Sequence, residues 1–526
     1  MGQGITRRQY LMLMAKLAGG SAALFQVARA FGITPVSSVF TPSKLKAVSG
    51  KPPKVVLLGA GISALVCAYE LSRAGYDCQI LEASHRIGGR NLTLRHGDKI
   101  DELGNPQICQ FDDEPHLYFN AGPARLPAEH EGILHYCREL GVELQLFCNY
   151  NRNCYCQDDK AFDGQPIRIR EYEADVRGFM SELMAKSMQP DDLLDAPFDD
   201  VDFDKMVEFV KRFGSLDEEG RYKGSESAGF ASIDVLSPLR LKDPRRFADL
   251  LKSDFWAGAM HFIDIADQSP AMMTPKGGMD SIVRHFLPHI EHLVTLHALV
   301  QRIETSDDQV TVSYLHNGEP KQITADYCLN CIPMQIMAGI DSNLPEDYKS
   351  IMRMVHRGKL FKVGLQARER FWEQEQIYAG ISWTNQDITQ IWYPEHGTFQ
   401  KKGVLLGGYS WENPIVERIS AMSPAQRINY AITQGEKLHP NYRQYIETGV
   451  SICWNRMNHL MGCGTYWPPE VYEKHYERLR APAGRHYLMG DQMATIQGWQ
   501  EGAVQSAWYV LRDIEARQIA TQGRPV

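Results

Sequence analysis

The chain has 526 residues, with 56 Lys and Arg against 64 Asp and Glu, a formal net charge of −8. That length gives room for two or three domains and a sizeable core, and the 44% hydrophobic, 23% charged composition excludes disorder, collagen and coiled coil. A mean hydropathy of −0.34 argues against a polytopic membrane protein. No large Lys/Arg block is present to neutralise phosphates, so nucleic acid is not an expected partner; something small and buried is. Eleven cysteines are too sparse and too odd a count for a disulfide framework. The lone CxxC, Cys328 to Cys331, reads as part of a buried strand rather than a redox helix terminus, and no metal site is expected.

In chain order, Thr6-Arg7-Arg8-Gln9-Tyr10-Leu11 precedes a modestly apolar stretch and then Ala28-Arg29-Ala30, a small-x-small cleavage pattern. The arginine pair resembles a twin-arginine export signal. Residues 1–30 therefore read as an address to the periplasm or exterior, and 31–52, rich in Pro, Ser and Thr, as a linker. Lys16 inside the apolar stretch supports the other reading, a first helix that is kept in a cytoplasmic protein.

Lys54-Val-Val-Leu-Leu58 has the pattern of a parallel strand buried on both faces. Gly59-Ala-Gly61-Ile-Ser-Ala64 follows, then a helical stretch, Gly75 as a stop, and a second strand ending at Glu82. Glycines at a strand-to-helix turn let a pyrophosphate approach the backbone at the helix N-terminus, where unpaired N–H groups favour anions. Ala64 takes the third small position. Glu82 can accept from both ribose hydroxyls and would repel a 2′-phosphate. Directly afterwards comes Ala83-Ser-His-Arg86-Ile-Gly-Gly89-Arg90, a second glycine pair with two cations suited to an anionic group such as a pyrophosphate.

This Glu-Ala-Ser-x-Arg-x-Gly-Gly-Arg run resembles the signature of the flavin-dependent amine oxidases, and Gly122-Pro123-Ala124-Arg125-Leu126-Pro127 resembles a segment of their L-amino-acid oxidase branch. Further similarity lies at Pro275-Lys-Gly-Gly-Met-Asp280, at Val300-Gln-Arg-Ile303, at Lys362 nine residues before Phe371-Trp372, and at Gly490-Asp491 with Gln497-Gly498-Trp499-Gln500-Glu501-Gly502. The resemblance spans about residues 52 to 515 and implies an α/β fold with a Rossmann-like FAD-binding domain of the glutathione-reductase type. It places that domain discontinuously at 53–130, 270–335 and 455–520, a mainly helical insertion at 131–269, and an α+β substrate-binding domain at 336–454.

The same resemblance implies roles. FAD would contact Gly59, Gly61, Ala64, Glu82, Ala83, Arg86, Gly89, Arg90, Ala124, Arg125, Val300, Asp491, Gly498 and Trp499. Arg125 and Tyr409 would pin a substrate carboxylate, with Gly498, Trp499 and Trp256 shaping the pocket. Lys362 would hold a water against flavin N5, and the N-terminus of the helix near Gln500 would face the flavin pyrimidine edge. Cys463 lies near the position of covalent flavin attachment in monoamine oxidases, yet Gly464 follows it and the spacing to Trp467-Pro468 is one residue short, so a non-covalent FAD is expected. The implied reaction is oxidation of L-amino acids by oxygen, through hydride transfer from Cα to flavin N5, giving 2-oxo acids, ammonia and hydrogen peroxide in a homodimer or larger homo-oligomer. An amine or polyamine oxidase, or an amino-acid 2-monooxygenase, is the alternative on the same fold. A flavin-fold binding partner without turnover is the reading from another class.

Overall fold

The computed structural model describes residues 42, 44–188, 203–232 and 236–522; the expected export address at 1–30 and most of the linker lie outside the described residues. The apolar run forms β1, Lys54–Leu58, with Val55 to Leu58 all buried. Its side chains alternate between two cores, as a strand's period of two requires. Val55 and Leu57 join one cluster, Val56 and Leu58 another. Gly61 then caps helix α1, Ile62–Arg73, and β2, Asp77–Leu81, returns parallel to β1.

Three more strands complete a five-stranded parallel sheet: β3, Val294–Thr295, β4, Tyr327–Asn330, and β5, His486–Leu488, in the order β3-β2-β1-β4-β5. The sheet thus draws strands from each of the three separated stretches anticipated for one domain. Helix α2, Gln500–Gln522, covers one face, where Val504, Ala507 and Leu511 meet Ala64, Leu65 and Ala68 of α1. The molecule is mixed α/β. A second, seven-stranded sheet runs Ile167–Arg168, Tyr155–Gln157, Gly380–Thr384, Gln390–Tyr393, Gly403–Ser410, Phe361–Ala367, Ile446–Cys453. Its strand Phe361–Ala367 is buried along its whole length.

Two anticipated boundaries shift. The stretch 131–269 opens with a helix, Glu131–Glu139, but is then interrupted by strands: Leu144–Phe147 pairs with Met272–Pro275, and Tyr155–Gln157 joins the seven-stranded sheet beside Gly380–Thr384. The reason is burial. Cys154 and Cys156 point into the core of that sheet as free thiols, which a solvated helical insertion would not allow. Helix resumes with Ile169–Ser187 and Phe203–Gly214. Likewise Glu346–Met354, placed by sequence in the substrate-side domain, packs Tyr348 and Ile351 into the cluster of Val56 and Leu58.

Among the described residues no helix is long and apolar enough to cross a membrane, and no group of His, Cys, Asp and Glu is arranged to hold a metal ion. One fully buried ion pair ties distant segments: Arg427 Nη1 donates to Glu102 Oε2 at 2.9 Å, Arg427 Nη2 lies 2.7 Å from Glu102 Oε1, and Arg427 also donates to the Ile419 and Ser420 carbonyls. Removing one partner of such a pair strands the other charge. Arg427→Met is therefore expected to cost about 3–5 kcal/mol, read as a fall in the urea midpoint, and the double change Glu102→Gln with Arg427→Met to recover part of that loss.

Candidate active site

Past the carboxyl ends of β1 and β2 a cavity of about 1020 Å³ runs toward the seven-stranded sheet, at the upper end of the roughly 300–1,000 Å³ usual for ligand sites. Of the residues anticipated to touch FAD, all but Ala64 line it. Ala64 is fully buried in the core that α1 shares with α2 and the sheet. Gly61 begins α1 with no side-chain cap on its N–H groups, so the first turn of the helix is left with free donors and the positive end of its dipole. The second glycine turn presses on the first. Gly89 has φ +56°, and a Cβ there would lie 3.3 Å from the Gly61 Cα, so a side chain would push the two turns apart. Glu82 accepts from the Ala60 amide at 2.7 Å and the Ser84 amide at 2.8 Å, which holds its carboxylate at the cavity rim with lone pairs to spare for hydroxyls. Arg86 donates to the Gly89 and Asn91 carbonyls and braces the turn.

At the centre Arg90 joins three segments. Its guanidinium is ion-paired with Asp491 and donates to the Cys463 carbonyl, while Asp491 Oδ2 accepts from the Gly498 amide at 2.9 Å. Burial would push the Asp491 carboxyl up, but Arg90 and the Gly498 amide hold it below the usual carboxylate range. Next to it the Gly122 backbone touches the Arg90 carbonyl so closely that a Cβ on Gly122 would stand 2.0 Å from that oxygen. On the far side of Glu82, the ladder of Ala298–Thr305 is broken by a bulge between Val300 and Arg302, and Val300 lines the cavity. At its start α2 is tied to the Arg125 side, since Glu501 accepts from the Gly132 and Ile133 amides.

The other end of the cavity holds Arg125, Lys362, Tyr409 and Trp499. The Arg125 guanidinium carbon lies 4.8 Å from the Trp392 ring centre, 5.5 Å from that of Trp499 and 5.8 Å from that of Phe262. Its hydrogen bonds go to a neutral amide, with Nε and Nη2 both donating to Gln268 Oε1 at 3.0 and 2.5 Å. Burial raises the Tyr409 hydroxyl to about 12 while Arg125 pulls it back. Lys362 sits in the buried strand Phe361–Ala367 with 3% of its surface exposed, and its Nζ donates to the Asn120 and Gly122 carbonyls at 3.2 and 2.5 Å. Burial brings its pKa down to about 7. Cys463 also lines the cavity, and burial pushes its thiol up against the pull of Arg90, Lys362 and Arg357.

Trp256 does not take part. The turn Asp254–Ala257 rotates Phe255 into the core and leaves Trp256 46% exposed and off the cavity wall. The aromatic that this region supplies is Phe262, with Ile265 and Gln268 beside it. Sequence reasoning also passed over Trp411, which stacks edge-on to Tyr409 at 5.2 Å; its place two residues after Tyr409 was a usable period-two signal. Gln268, and His130 edge-on to Trp499 at 4.9 Å, carried no signal.

An uncapped helix terminus, a cradle of touching glycine turns and a carboxylate rim are what a dinucleotide needs, so these residues fit a flavin dinucleotide. The sequence pattern of a family described as flavin containing amine oxidoreductase matches residues 62–514. L-amino-acid oxidases of Sistrurus catenatus edwardsii and Gloydius halys are 26% and 27% identical, over 89% of this chain and 87% and 90% of their own length. Among solved structures, a putrescine oxidase redesigned in its cofactor binding and a cyclohexylamine oxidase from Brevibacterium oxydans IH-35A each give a TM-score of 0.60, at 18% and 17% identity, covering 89% of this chain and 99% of each. Those two share the fold. Taken with the match over most of its length, the chain belongs to the flavin-containing amine oxidoreductase family.

Proposed function

We propose that this protein is an FAD-dependent L-amino-acid oxidase, converting L-amino acids to 2-oxo acids with release of ammonia and hydrogen peroxide. The observation that carries the reading is Arg125, a half-buried cation at the cavity wall whose hydrogen bonds go to an amide rather than to a carboxylate. A guanidinium partly withdrawn from water gains when an anion meets it. An amino acid brings a carboxylate that the planar fork can take in two parallel bonds, and a plain amine brings none. The relatives named L-amino-acid oxidases support the same side.

On this reading the five-stranded sheet is the core of a Rossmann-like FAD domain of the glutathione-reductase type. Gly59, Gly61, Gly89 and the start of α1 hold the pyrophosphate, Glu82 the ribose and Val300 the adenine side. Ala83, Arg86, Ala124, Arg90, Asp491 and Gly498 line the remaining length toward the ring. Non-covalent attachment follows from Cys463, whose thiol burial keeps protonated and which Gly464 follows. When bound, the flavin supplies the redox chemistry, accepting two electrons from the substrate and passing them to oxygen.

The protein's own residues supply position and proton control. Arg125 and Tyr409 hold the carboxylate, and with Trp499 as a wall they fix Cα in one orientation, a restriction that can lower a barrier by several kcal/mol. Lys362, with its pKa brought down to about 7, is about half neutral at pH 7 and increasingly a neutral amine above it. Its two N–H groups satisfy the Asn120 and Gly122 carbonyls, and the lone pair that remains accepts a hydrogen bond from a water on the cavity side. No other base is needed if the substrate amine enters unprotonated. The arginine pair near the N-terminus favours export by the twin-arginine route, which moves proteins already folded around a cofactor.

A peroxide-release screen over the twenty L-amino acids, with D-enantiomers and simple amines as controls, is expected to give turnover with L-amino acids and at least about 100-fold lower kcat/KM with amines. Arg125→Lys is expected to raise KM by about 10- to 100-fold, the worth of a charge-assisted bond of about 1.5–3 kcal/mol; preference for amines, or an unaltered KM, would refute the carboxylate role. Lys362 gives a pH test. Between about 7 and its ordinary value of 10.5, the unfolded chain carries a proton on this lysine that the folded protein lacks. Stability therefore gains up to about 1.4 kcal/mol per pH unit from this residue as pH rises through that window, and in Lys362→Met the rise of the urea midpoint from pH 7 to 10 is expected to be correspondingly smaller.

A further inference from the structure

Arg125 carries five N–H donors in a planar fork, and two of them, from Nε and Nη2, converge on one acceptor, Gln268 Oε1. That amide is held in place from behind. Gln268 ends the turn Ala266–Gln268, and its own carbonyl accepts from Asn149 Nδ2. The preceding residue, Asp267, is a buried carboxylate that acts on the Arg125 charge through space, while the hydrogen bonds of the fork go to Gln268; it lies 3.9 Å from the His130 ring nitrogen, and the His130 ring in turn abuts Trp499. One short turn therefore backs both the guanidinium and the indole that face the substrate end of the cavity.

The choice of side chain at 268 matters because of charge. A glutamine oxygen can align a guanidinium as a glutamate oxygen can, but it brings no negative charge. With glutamate in the same place the anchor would be neutralised inside the protein before any ligand arrived, and an incoming carboxylate would meet a like charge. With an apolar residue the charge would stay but the fork would be free to turn. We propose that Gln268 is a specificity-determining residue: its neutral amide fixes the direction of Arg125 while reserving the charge of the guanidinium for an anionic substrate, so that the pair, rather than Arg125 alone, selects carboxylate-bearing substrates over plain amines. This rests on the amino-acid reading given above.

The test compares purified holoenzyme as wild type, Gln268→Glu and Gln268→Leu. Benzoate, a carboxylate without an oxidisable amine, is titrated and followed by tryptophan fluorescence, since Trp392 and Trp499 flank Arg125. In parallel, KM and kcat are measured for the best L-amino acid of the panel and for its decarboxylated amine. Gln268→Glu is expected to weaken benzoate by about 100-fold and to raise the amino-acid KM in step, with kcat/KM for the amine held or increased. Gln268→Leu, which keeps the charge and loses the alignment, is expected to weaken both by about tenfold. Benzoate binding within twofold of wild type in Gln268→Glu, or equal damage from the two variants, would overturn the inference while a wild type that prefers amino acids leaves the functional reading standing. A wild type that prefers amines overturns both. Should Gln268→Glu fail to fold, Gln268→Leu decides: an affinity within twofold of wild type overturns the proposal.

Discussion

The pairing of Arg90 with Asp491 is the constraint on which the cavity depends. Two charges taken out of water hold only if their remaining hydrogen-bonding capacity is met, and here it is: Arg90 reaches the Cys463 carbonyl, and Asp491 takes the Gly498 amide. The partners stand 401 residues apart. Through them the loop after β2, the loop before Thr465 and the approach to α2 are fixed relative to one another. The glycine turn after β2, the central section and the wall formed by Trp499 are tied together through that one contact.

Among the cations that border the same space, five are handled by the protein in different ways. Arg86 and Arg357 direct their donors at main-chain carbonyls of neighbouring loops, Arg90 takes a carboxylate, and Lys362 sheds its proton toward neutrality. Arg125 keeps its charge among aromatic rings, with an amide to steer it. The lining thus holds cations met by carbonyls, by a carboxylate and by an amide, and they differ in how much of their charge the protein offsets.

What could be read from the sequence were the features that backbone geometry forces on residue type. The glycine turns after β1 and β2 and the acid closing β2 are written in spacing because the local geometry asks for those residue types, whereas Arg125 was marked by family resemblance. β1, β2 and the strand that carries Cys328 were legible as short apolar runs at separated places; the two-residue β3, Val294–Thr295, was not. The remainder was set by tertiary contact. Leu144–Phe147 and Tyr155–Gln157 become strands because partners at Met272–Pro275 and Gly380–Thr384 accept them, and their own short runs do not announce it. Trp256 and Phe262 are exchanged in role by the phase of two short turns, and Gln268 matters solely because of where Arg125 points.

The sheet order has a consequence for how the molecule comes into being. β5, Asp491 and α2 come late in the chain, Asp491 401 residues after Arg90, yet they supply an edge of the parallel sheet, the partner of Arg90 and a cover for α1. The glycine turns after β1 and β2 are made long before the segment that closes over them. Until that segment arrives, the apolar strands β1 and β2 lack a full set of neighbours, and the nascent chain must be kept from collapsing on them. A chain cut short before β5 keeps the glycine turns but lacks the means to hold them shut.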